Sequence, residues 1–446
     1  MIKVITYGTF DLLHEGHIRL LQRAKALGDY LVVGVTTNDF DKTRGKINVQ
    51  QSLMERIEAV RATGLADEII IEEYEGQKID DILRNDIDIF TVGSDWTGKF
   101  DYLNKYCKVV YLERTAGISS SLIRSRKAKQ RIGFIGQSNI LIKYIKEAQM
   151  VDGLEISSIF TEDKELCETK IGNYRFEKTF EEVIHKSDVV YINTKPEYHY
   201  EQIKYALEHG THVICESPIT LYVHEYDELF NISQIKNLVL FDAIKTAYSL
   251  AFNRLLVLLK SGIIGSIVSV EATCTSLRTI DVNKYKFQNE WNSICAWGPT
   301  ALLPVFQILG VDYKHLQIIT RLLDEENKMD VFTKANLIYD KSVATIKVGN
   351  GVKSEGELIV SGTKGYIYVP APWWKTDYFE VRFENPAENR RYFYQLEGEG
   401  IRYELVAFLN SINSHRRQSQ YIMPKVSEGI IKVIEDFYKN KNLIRI

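Results

Sequence analysis

Two separate stretches of the chain share one pattern, a short apolar run that ends in glycine and leads into a helix-forming segment. The first stretch covers residues 2–8 and the second covers residues 131–136. This order of strand, glycine turn and helix opens nucleotide-binding α/β folds, because the turn and the helix start can approach a phosphate closely. The repeated pattern therefore predicts two nucleotide-binding folds in one chain.

Further apolar runs show how each fold continues. Runs alternate with amphipathic helical segments at residues 30–35, 68–71, 87–92 and 109–112, and again at 156–160, 189–192, 212–215 and 239–241. Strands that alternate with helices predict parallel sheets covered on both faces. From about Ser266 longer β-rich runs take over, at residues 267–272, 344–348, 357–361 and 365–369, which favours a mostly antiparallel sheet with flanking helices.

The predicted class is therefore α/β, with a Rossmann-like domain, a second Rossmann domain and an α/β domain with a mostly antiparallel sheet. A length of 446 residues accommodates two or three domains. The segment 119–130 is rich in Ser, Lys and Arg and lacks a strong apolar run, so the first junction is predicted near residue 128. The predicted domains are residues 1–128, 129–250 and 251–446.

Charge and cysteine usage exclude several classes of protein. Lys and Arg number 56 against 59 Asp and Glu, a net charge of −3, and no basic run exists that could follow a nucleic-acid backbone. Five cysteines show no metal-binding spacing, and no apolar stretch approaches 20 residues. We expect a soluble cytoplasmic enzyme without nucleic-acid or membrane partners and without a dedicated metal site.

The strongest local motif lies directly after the first strand. His14 and His17 stand three residues apart on a turn that opens a helix predicted over residues 18–27, so both imidazoles should point the same way. Gly8 and Gly16 allow close backbone approach, and the helix N-terminus attracts anions. A phosphate cradle is predicted, with a metal-binding pair or two unrelated surface histidines as the alternatives.

The residues around this pair resemble a known family. The segment from Tyr7 to His17 is similar to the HxGH signature of the cytidylyltransferases, and most of all to bacterial glycerol-3-phosphate cytidylyltransferases. The resemblance covers residues 1–126 and includes the segments 28–33, 92–100 and 114–121. The last segment is similar to a second signature, RTxGIST, with Ser120 where threonine is usual.

This resemblance implies that a phosphate monoester attacks the α-phosphorus of CTP and that pyrophosphate leaves. His14, His17, Lys46 and Arg114 would be the catalytic groups, although Lys46 could also be a solvated loop residue. Mg²⁺ would arrive with the triphosphate rather than in a protein cage. The implied nucleotide-binding residues are Gly8, Thr9, Phe10, Asp11, Gly16, Gly93, Asp95, Trp96, Thr115, Ser119 and Ser120.

The acceptor is less defined by the resemblance. Gly64 stands where the glycerol-phosphate enzymes carry an arginine, with Arg61 nearby, so another alditol phosphate could be used. Arg56 falls at a family arginine, with a role on the helix surface as the alternative. By analogy the product, a CDP-alcohol such as CDP-glycerol, would feed the synthesis of teichoic-acid-like or capsular polymers.

A second resemblance begins at Arg131. The strand and turn ending at Gly136, the Glu216-Ser217-Pro218 turn and the segment 260–267 are similar to Gfo/Idh/MocA oxidoreductases, over about residues 131–440. That family pairs a Rossmann domain that binds NAD(P) with an α/β substrate domain. The resemblance implies this fold, and it gives Gly136, Ser138, Glu216 and Pro218 as candidate cofactor-binding residues.

The residues that carry out the chemistry of that family are altered here. The glycine pattern reads Gly136, Ser138 and Leu141, and Ser217 replaces the lysine of the family's Glu-Lys-Pro turn. Ala296 and Thr300 stand where an Asp and a His are usual, so hydride transfer would lack its proton carrier. The residues that could substitute, each with a structural role as the alternative, are Lys245, His199, His224 and Tyr248.

Three interpretations of this half follow. It could reduce a sugar phosphate with NAD(P) and supply the first domain, bind a nucleotide or sugar without chemistry, or serve to build an oligomer. We favour a retained fold with lost or altered chemistry. Because both resembled families commonly self-associate, a homo-oligomer, such as a dimer, is also expected.

Overall fold

The computed structural model describes residues 1–37, 40–41, 49, 51, 53–74, 76–113, 129–137, 139–162, 164–172, 174–277, 291–375, 377–394, 396, 398–414 and 417–446. The chain divides into two compact units, Met1–Lys129 and Gln130–Ile446. The further division of the second unit at residue 250 stays a prediction. No helix among the described residues is long and apolar enough to cross a lipid bilayer.

The described part of the first unit is a parallel sheet with helices on both faces. Its elements are β1 (Lys3–Gly8), α1 (Glu15–Lys25), β2 (Tyr30–Thr36), α2 (Leu53–Ala62), β3 (Glu68–Glu72), α3 (Gln77–Arg84), β4 (Ile89–Gly93) and β5 (Lys108–Leu112), with 3₁₀ turns at Ser94–Trp96 and Asp101–Lys105. The strand order is β3-β2-β1-β4-β5, and the neighbouring strands pair in parallel. The predicted parallel sheet is confirmed.

Alternate residues of β1 enter different cores. Val4 packs with Leu21, Ile57 and other apolar residues on one face, and Ile5 packs with Ile82, Phe90 and others on the opposite face. Such burial on both faces explains why the strands read as continuous apolar runs. The strand order reverses between β1 and β4, which opens a crevice at the carboxyl ends of these two strands.

The second unit begins with another parallel sheet. Its elements are β6 (Gln130–Gly136), α4 (Asn139–Ala148), β7 (Leu154–Phe160), α5 (Lys164–Ile171), α6 (Phe180–His185), β8 (Val189–Asn193), α7 (Pro196–Glu208), β9 (His212–Glu216), α8 (Val223–Ile235) and β10 (Leu240–Ala243). The order among the described strands is β10-β9-β8-β6-β7, and all pairs are parallel. The second predicted Rossmann-like sheet is confirmed.

A larger mixed sheet follows. Its elements are α9 (Leu250–Lys260), β11 (Ile267–Thr275), α10 (Ser293–Leu309), β12 (His315–Asp324), β13 (Met329–Ile338), β14 (Val343–Gly349), β15 (Leu358–Gly362), β16 (Tyr366–Val369), β17 (Tyr378–Arg382), β18 (Arg390–Phe393), α11 (Ile401–Asn413), α12 (Pro424–Tyr438) and β19 (Leu443–Arg445). The order is β18-β17-β16-β15-β11-β14-β13-β12-β19. In the described sheet β11 with β14 and β12 with β19 are parallel pairs, and the remaining pairs are antiparallel, as predicted.

Candidate functional site

The turn between β1 and α1 has an unusual backbone. Phe10 and Leu12 both adopt left-handed conformations, with φ of 52° and 50°. A β-carbon added at Gly8 would lie 3.0 Å from the Phe10 ring, so the absence of a side chain lets this ring fold back over the strand end. The turn is therefore compact, and it carries the chain directly to the start of α1.

His14 is the N-cap of α1. Its Nδ1 accepts a hydrogen bond from the Gly16 N–H at 3.1 Å. The helix begins at Glu15 rather than at residue 18, so the predicted start was wrong by three residues, because the imidazole satisfies a backbone donor and allows an earlier start. His17 consequently lies within the first turn of the helix.

The two imidazoles face each other at this helix start. The rings of His14 and His17 stack with centroids 3.9 Å apart and an interplanar angle of 19°. In the neutral form, His14 carries its proton on Nε2 because Nδ1 accepts. Burial lowers the pKa of His14, which favours that neutral form. The pair thus presents imidazole donors beside a helix N-terminus.

A buried arginine, Arg56, holds the turn between β1 and α1 against the end of β2. Arg56 is fully buried, and its Nη1 donates to the carbonyl oxygens of Thr9 at 2.5 Å and Thr36 at 2.8 Å. It forms an ion pair with Asp41 at 3.7 Å, and Thr9 Oγ1 donates to Asp41 Oδ1 at 2.7 Å. The alternative role on the helix surface is wrong for Arg56, because the side chain joins the ends of β1 and β2.

Asp11 also holds the turn. It is 2% exposed, and it accepts a hydrogen bond from the Gln51 N–H at 3.0 Å, while Gln51 Oε1 accepts from the Leu12 N–H at 2.7 Å. These bonds tie the turn to the chain at residue 51. The predicted place of Asp11 near a ribose stays a prediction.

The end of β4 forms the other side of the crevice. The β1–β4 register pairs Thr6 with Thr91, so Gly8 and Gly93 reach the same edge of the sheet. Asp95 is exposed, and the Trp96 ring lies 5.8 Å from the Phe100 ring. Trp96 and Asp95 are thereby presented on the side of β1 opposite to β2, where a base could stack.

Several predicted residues lie outside the described part of the chain, namely Lys46, Arg114, Thr115, Ser119, Ser120 and Ser138. Gly64 is described, and it has a backbone reason to be glycine. It follows α2 with a φ of +67°, a left-handed conformation that glycine adopts at helix ends. The missing arginine at this position therefore does not by itself define the acceptor.

The second unit contains a cavity of about 610 Å³. It opens at the carboxyl ends of β6, β8, β9 and β10 and is closed on another side by α10. The residues that line it are Gln137, Asn139, Ile140, Lys143, Asn193, Thr194, Lys195, Glu216, Ser217, Ala243, Ile244, Lys245, Thr246, Trp291, Ala296, Trp297, Pro299, Thr300, Trp374, Lys375 and Glu399.

The Glu216-Ser217 turn enters this cavity beside a lysine. Tyr191 Oη donates to Glu216 Oε2 at 2.6 Å, and burial raises the pKa of Glu216 to about 7. Ala243 pairs with Glu216 across β10 and β9, so Lys245 leaves the neighbouring strand next to Ser217. Burial lowers the pKa of Lys245. The lysine that is missing at Ser217, after β9, is therefore matched by Lys245, after the neighbouring strand β10.

Two residues of the glycine pattern, Gly136 and Leu141, show whether side chains obstruct the place of a cofactor. Gly136 has a φ of +145°, and an added β-carbon would lie 2.3 Å from the Asn193 carbonyl oxygen, so glycine is needed for strand packing. Leu141 is fully buried in the core and takes no space from the cavity. Neither Gly136 nor Leu141 therefore obstructs the ends of β6 and β8, and both are compatible with a nicotinamide dinucleotide bound there.

Of the other three candidate proton carriers, two are buried in the fold and one is exposed. His199 is fully buried, with its ring nitrogens 2.9 Å from the Pro218 carbonyl oxygen and 3.0 Å from that of Thr194. Tyr248 is buried with its hydroxyl 3.1 Å from Ser419 Oγ, and His224 is exposed. Of the four candidates, Lys245 is the one among the described cavity-lining residues.

Family comparisons separate the two units. A model described as cytidylyltransferase-like matches residues 5–126, and one described as the oxidoreductase family with an NAD-binding Rossmann fold matches residues 130–243. A glycerol-3-phosphate cytidylyltransferase from Bacillus spizizenii is 50% identical over 128 residues, which cover 29% of this chain and 98% of that protein. One from Staphylococcus aureus is 45% identical over 128 residues, or 28% and 93% of the respective chains.

Solved structures resemble the second unit in fold. A 3-ketoreductase from Actinomadura kijaniata, crystallised with NADP and TDP-benzene, covers 71% of this chain and 99% of its own, with a TM-score of 0.63 and 16% identity. A UDP-N-acetylglucosamine 3-dehydrogenase from Acidithiobacillus ferrooxidans covers the same shares, with a TM-score of 0.57 and 15% identity. At these identities the likeness concerns the fold alone.

Proposed function

The chain belongs to the cytidylyltransferase-like family through its first unit, and we infer that this nucleotidyltransferase joins CTP to glycerol 3-phosphate or a related alditol phosphate. The observation that supports this best is the stacked pair of His14 and His17 at the start of α1. It lies at the point where the strand order reverses, which is where open α/β sheets bind nucleotides. The products would be a CDP-alcohol and pyrophosphate.

Transfer would proceed by direct attack of the acceptor phosphate on the α-phosphorus. Catalysis then depends on positioning and on neutralising the charge that develops on the phosphate oxygens. His14 Nε2–H and the His17 ring would donate to these oxygens, and the first-turn N–H groups of α1 would add the positive end of the helix dipole. Lys46 and Arg114 are proposed as further cations, and Mg²⁺ as the ion that enters with CTP.

Pyrophosphate release from CTP tests this proposal with a panel of alditol phosphates of different chain length. We expect His17→Ala to lower kcat by about 10² or more, the usual loss when one donor to a developing oxyanion is removed. Arg19→Ala is the matched control, because Arg19 lies exposed on the same helix and pairs with Glu15. A near-normal rate for His17→Ala would contradict the assignment.

The panel also defines the acceptor. Preference for glycerol 3-phosphate would support the function named for the Bacillus protein, whereas preference for a longer alditol phosphate would support a different acceptor. A role in teichoic-acid-like or capsular polymer synthesis, in a cytoplasmic enzyme, is proposed on the same basis. Absence of pyrophosphate release with every member of the panel would contradict the cytidylyltransfer itself.

A second candidate function, NAD(P)-dependent reduction, is favoured by Lys245 in the second unit. Gln137, Asn193 and Thr194 would hold the nicotinamide dinucleotide, which when bound supplies hydride to a carbonyl carbon. The Lys245 ammonium would hold the carbonyl oxygen and give it a proton. It would thereby take the role of the family's lysine, whose position is occupied here by Ser217. This would make the chain a bifunctional enzyme.

NADPH fluorescence tests this second function independently of turnover. We expect a saturable change of NADPH fluorescence both with the wild type and with Lys245→Met, because the Lys245 side chain acts on the carbonyl rather than on the dinucleotide. Oxidation of NADPH by a carbonyl substrate should be lost in Lys245→Met and retained in the wild type. No fluorescence change at saturating protein would favour the interpretation in which this unit is catalytically inactive and serves to build an oligomer. Light scattering would then test whether the protein is a homo-oligomer.

A further inference from the structure

Three lysines from distant parts of the second unit converge on one carboxylate in the cavity. The Nζ atoms of Lys143, Lys245 and Lys375 lie 2.9, 2.7 and 3.0 Å from the carboxylate oxygens of Glu399. All four residues line the cavity. We call Lys143, Lys245 and Lys375 the lysine cluster. One carboxylate cannot neutralise three ammonium groups, so the cluster carries a surplus of two positive charges.

The rest of the lining does not remove this surplus. Lys195 adds a fourth ammonium and Glu216 a second carboxylate, and Glu216 is only partly ionised near neutral pH because burial raises its pKa to about 7. Glu404 is buried near Lys245, and burial raises its pKa well above the usual range, which favours the neutral acid. Glu147 on α4 is paired with Arg402 at 2.8 Å. A cavity of this size with at least two unbalanced positive charges is suited to an anion.

Glu399 is held in place by its backbone. It has a φ of 53° between Gly398 at 57° and Gly400 at 89°, a left-handed run that disfavours a residue with a side chain. A β-carbon added at Gly400 would lie 2.9 Å from the Lys245 carbonyl oxygen. The turn therefore packs closely against the lysine cluster, and it keeps the carboxylate among ammonium groups that an incoming anion would also contact.

Three tryptophans also line the cavity. Trp291, Trp297 and Trp374 line it, and the rings of Trp297 and Trp374 are 4.9 Å apart. Indole faces pack well against the C–H groups of sugar-like molecules, and the Trp297 Nε1–H is already taken by Asn350 at 2.9 Å. The lining of the cavity thus combines ammonium groups with aromatic surface.

We propose that this cavity binds a phosphomonoester of a small polyhydroxylated molecule, with the phosphate at Lys143 and Lys375 of the lysine cluster, the carbon chain against Trp297 and Trp374, and Lys245 left for the carbonyl oxygen. A dianionic phosphate balances the two surplus charges. The proposal concerns the cavity of the second candidate function and rests on it, because it names the class of substrate that this cavity would take. A phosphate of a dinucleotide has the same chemistry, so the experiment must separate these two sources.

Tryptophan fluorescence gives a readout confined to this unit. Of five tryptophans in the sequence, Trp96 lies in the first unit, so the full-length Trp96→Phe variant reports on the second unit alone. We expect saturable changes with dihydroxyacetone phosphate and glycerol 3-phosphate and none with glycerol. Lys375→Met should weaken binding about 10-fold or more, as expected for one charge-assisted contact. Lys364→Met is the control, because Lys364 is an exposed lysine of the same unit.

Glu399→Gln distinguishes a binding site from a structural ion-pair network. If the carboxylate competes with the phosphate, the variant binds the phosphomonoester more tightly; if Glu399 only holds the lysines in place, the variant binds it more weakly, which would overturn the proposal. Equal responses to glycerol, or a flat response to millimolar phosphomonoester, would also overturn it. Competitive displacement by NADPH would assign the phosphate site to the dinucleotide instead, whereas simultaneous binding supports the proposal.

Discussion

Replacement of Arg56 by methionine should uncouple the first unit's turn from its sheet. The guanidinium is fully buried, donates to the carbonyl oxygens of Thr9 and Thr36, and faces Asp41. Methionine fills a similar length without charge, so the change removes interactions rather than volume. Two carbonyl groups would lose their donor, and the buried Asp41 would lose a cationic partner.

The expected loss follows from the burial of both charges. Removing one partner of a buried ion pair costs about 3–5 kcal/mol, because the other charge stays in a poorly solvated site. A domain is stable by only about 5–15 kcal/mol in total, so the first unit should lose a large share of its unfolding free energy. Burial lowers the pKa of Arg56 while Asp41 and Asp11 raise it, which agrees with a charge held by nearby carboxylates.

Hydrogen exchange measured by mass spectrometry can locate this effect. Peptides from β1 and β2 should exchange faster in Arg56→Met, while peptides from β8 serve as the internal reference. The double variant Arg56→Met with Asp41→Asn should regain part of the loss, because no unpaired charge remains. A single variant that loses less than about 1 kcal/mol, or a double variant that equals the sum of both singles, would refute the ion-pair reasoning.

Three further outcomes are expected from the second unit and the sheet of the first. Burial lowers the pKa of His199 to about 4, so between pH 4 and 6.5 the unfolded state binds a proton that the folded state does not. In urea titrations, the unfolding free energy of the wild type relative to that of His199→Gln should therefore rise by about 3 kcal/mol as the pH rises from 4 to 6.5. Glu216, whose pKa is raised to about 7, should act oppositely: relative to Glu216→Gln the wild type loses about 3 kcal/mol as pH rises from 4.5 to 7. Gly34→Ala should destabilise the first unit by about 1–3 kcal/mol in the same hydrogen-exchange assay, because its β-carbon would lie 2.2 Å from the Tyr7 ring; unchanged exchange would show that the ring moves freely.

Much of the fold could be predicted because buried parallel strands are continuous apolar runs. The runs ending at Gly8 and Gly136 both became first strands of parallel sheets, and the two family resemblances read from neighbouring motifs are confirmed. The start of α1 could not be placed, because histidine is an uncommon N-cap. The hydrogen bond from the Gly16 N–H to the His14 ring, which the structure shows, explains why the helix begins at Glu15.

Residues brought together by tertiary structure were harder to predict than motifs within one segment. His14 and His17 lie in one segment, and their proximity follows from helical spacing. Arg56 had two open interpretations, because its burial depends on strands and a turn elsewhere in the chain. Lys143 and Glu399 are 256 residues apart, and no local pattern relates a lysine in α4 to a glutamate in a turn before α11.

The two proposed phosphate sites differ in their local charge, in a chain with a net charge of −3. Around the His14 ring, burial favours neutral imidazole, which would suit a triphosphate whose charge is partly balanced by the proposed Mg²⁺. The lysine cluster carries surplus positive charge of its own, so we expect the proposed phosphate to bind there without a metal ion. Chelation of divalent cations should therefore abolish pyrophosphate release from CTP while leaving the tryptophan response to phosphomonoester unchanged, and loss of both on adding a chelator would contradict this division.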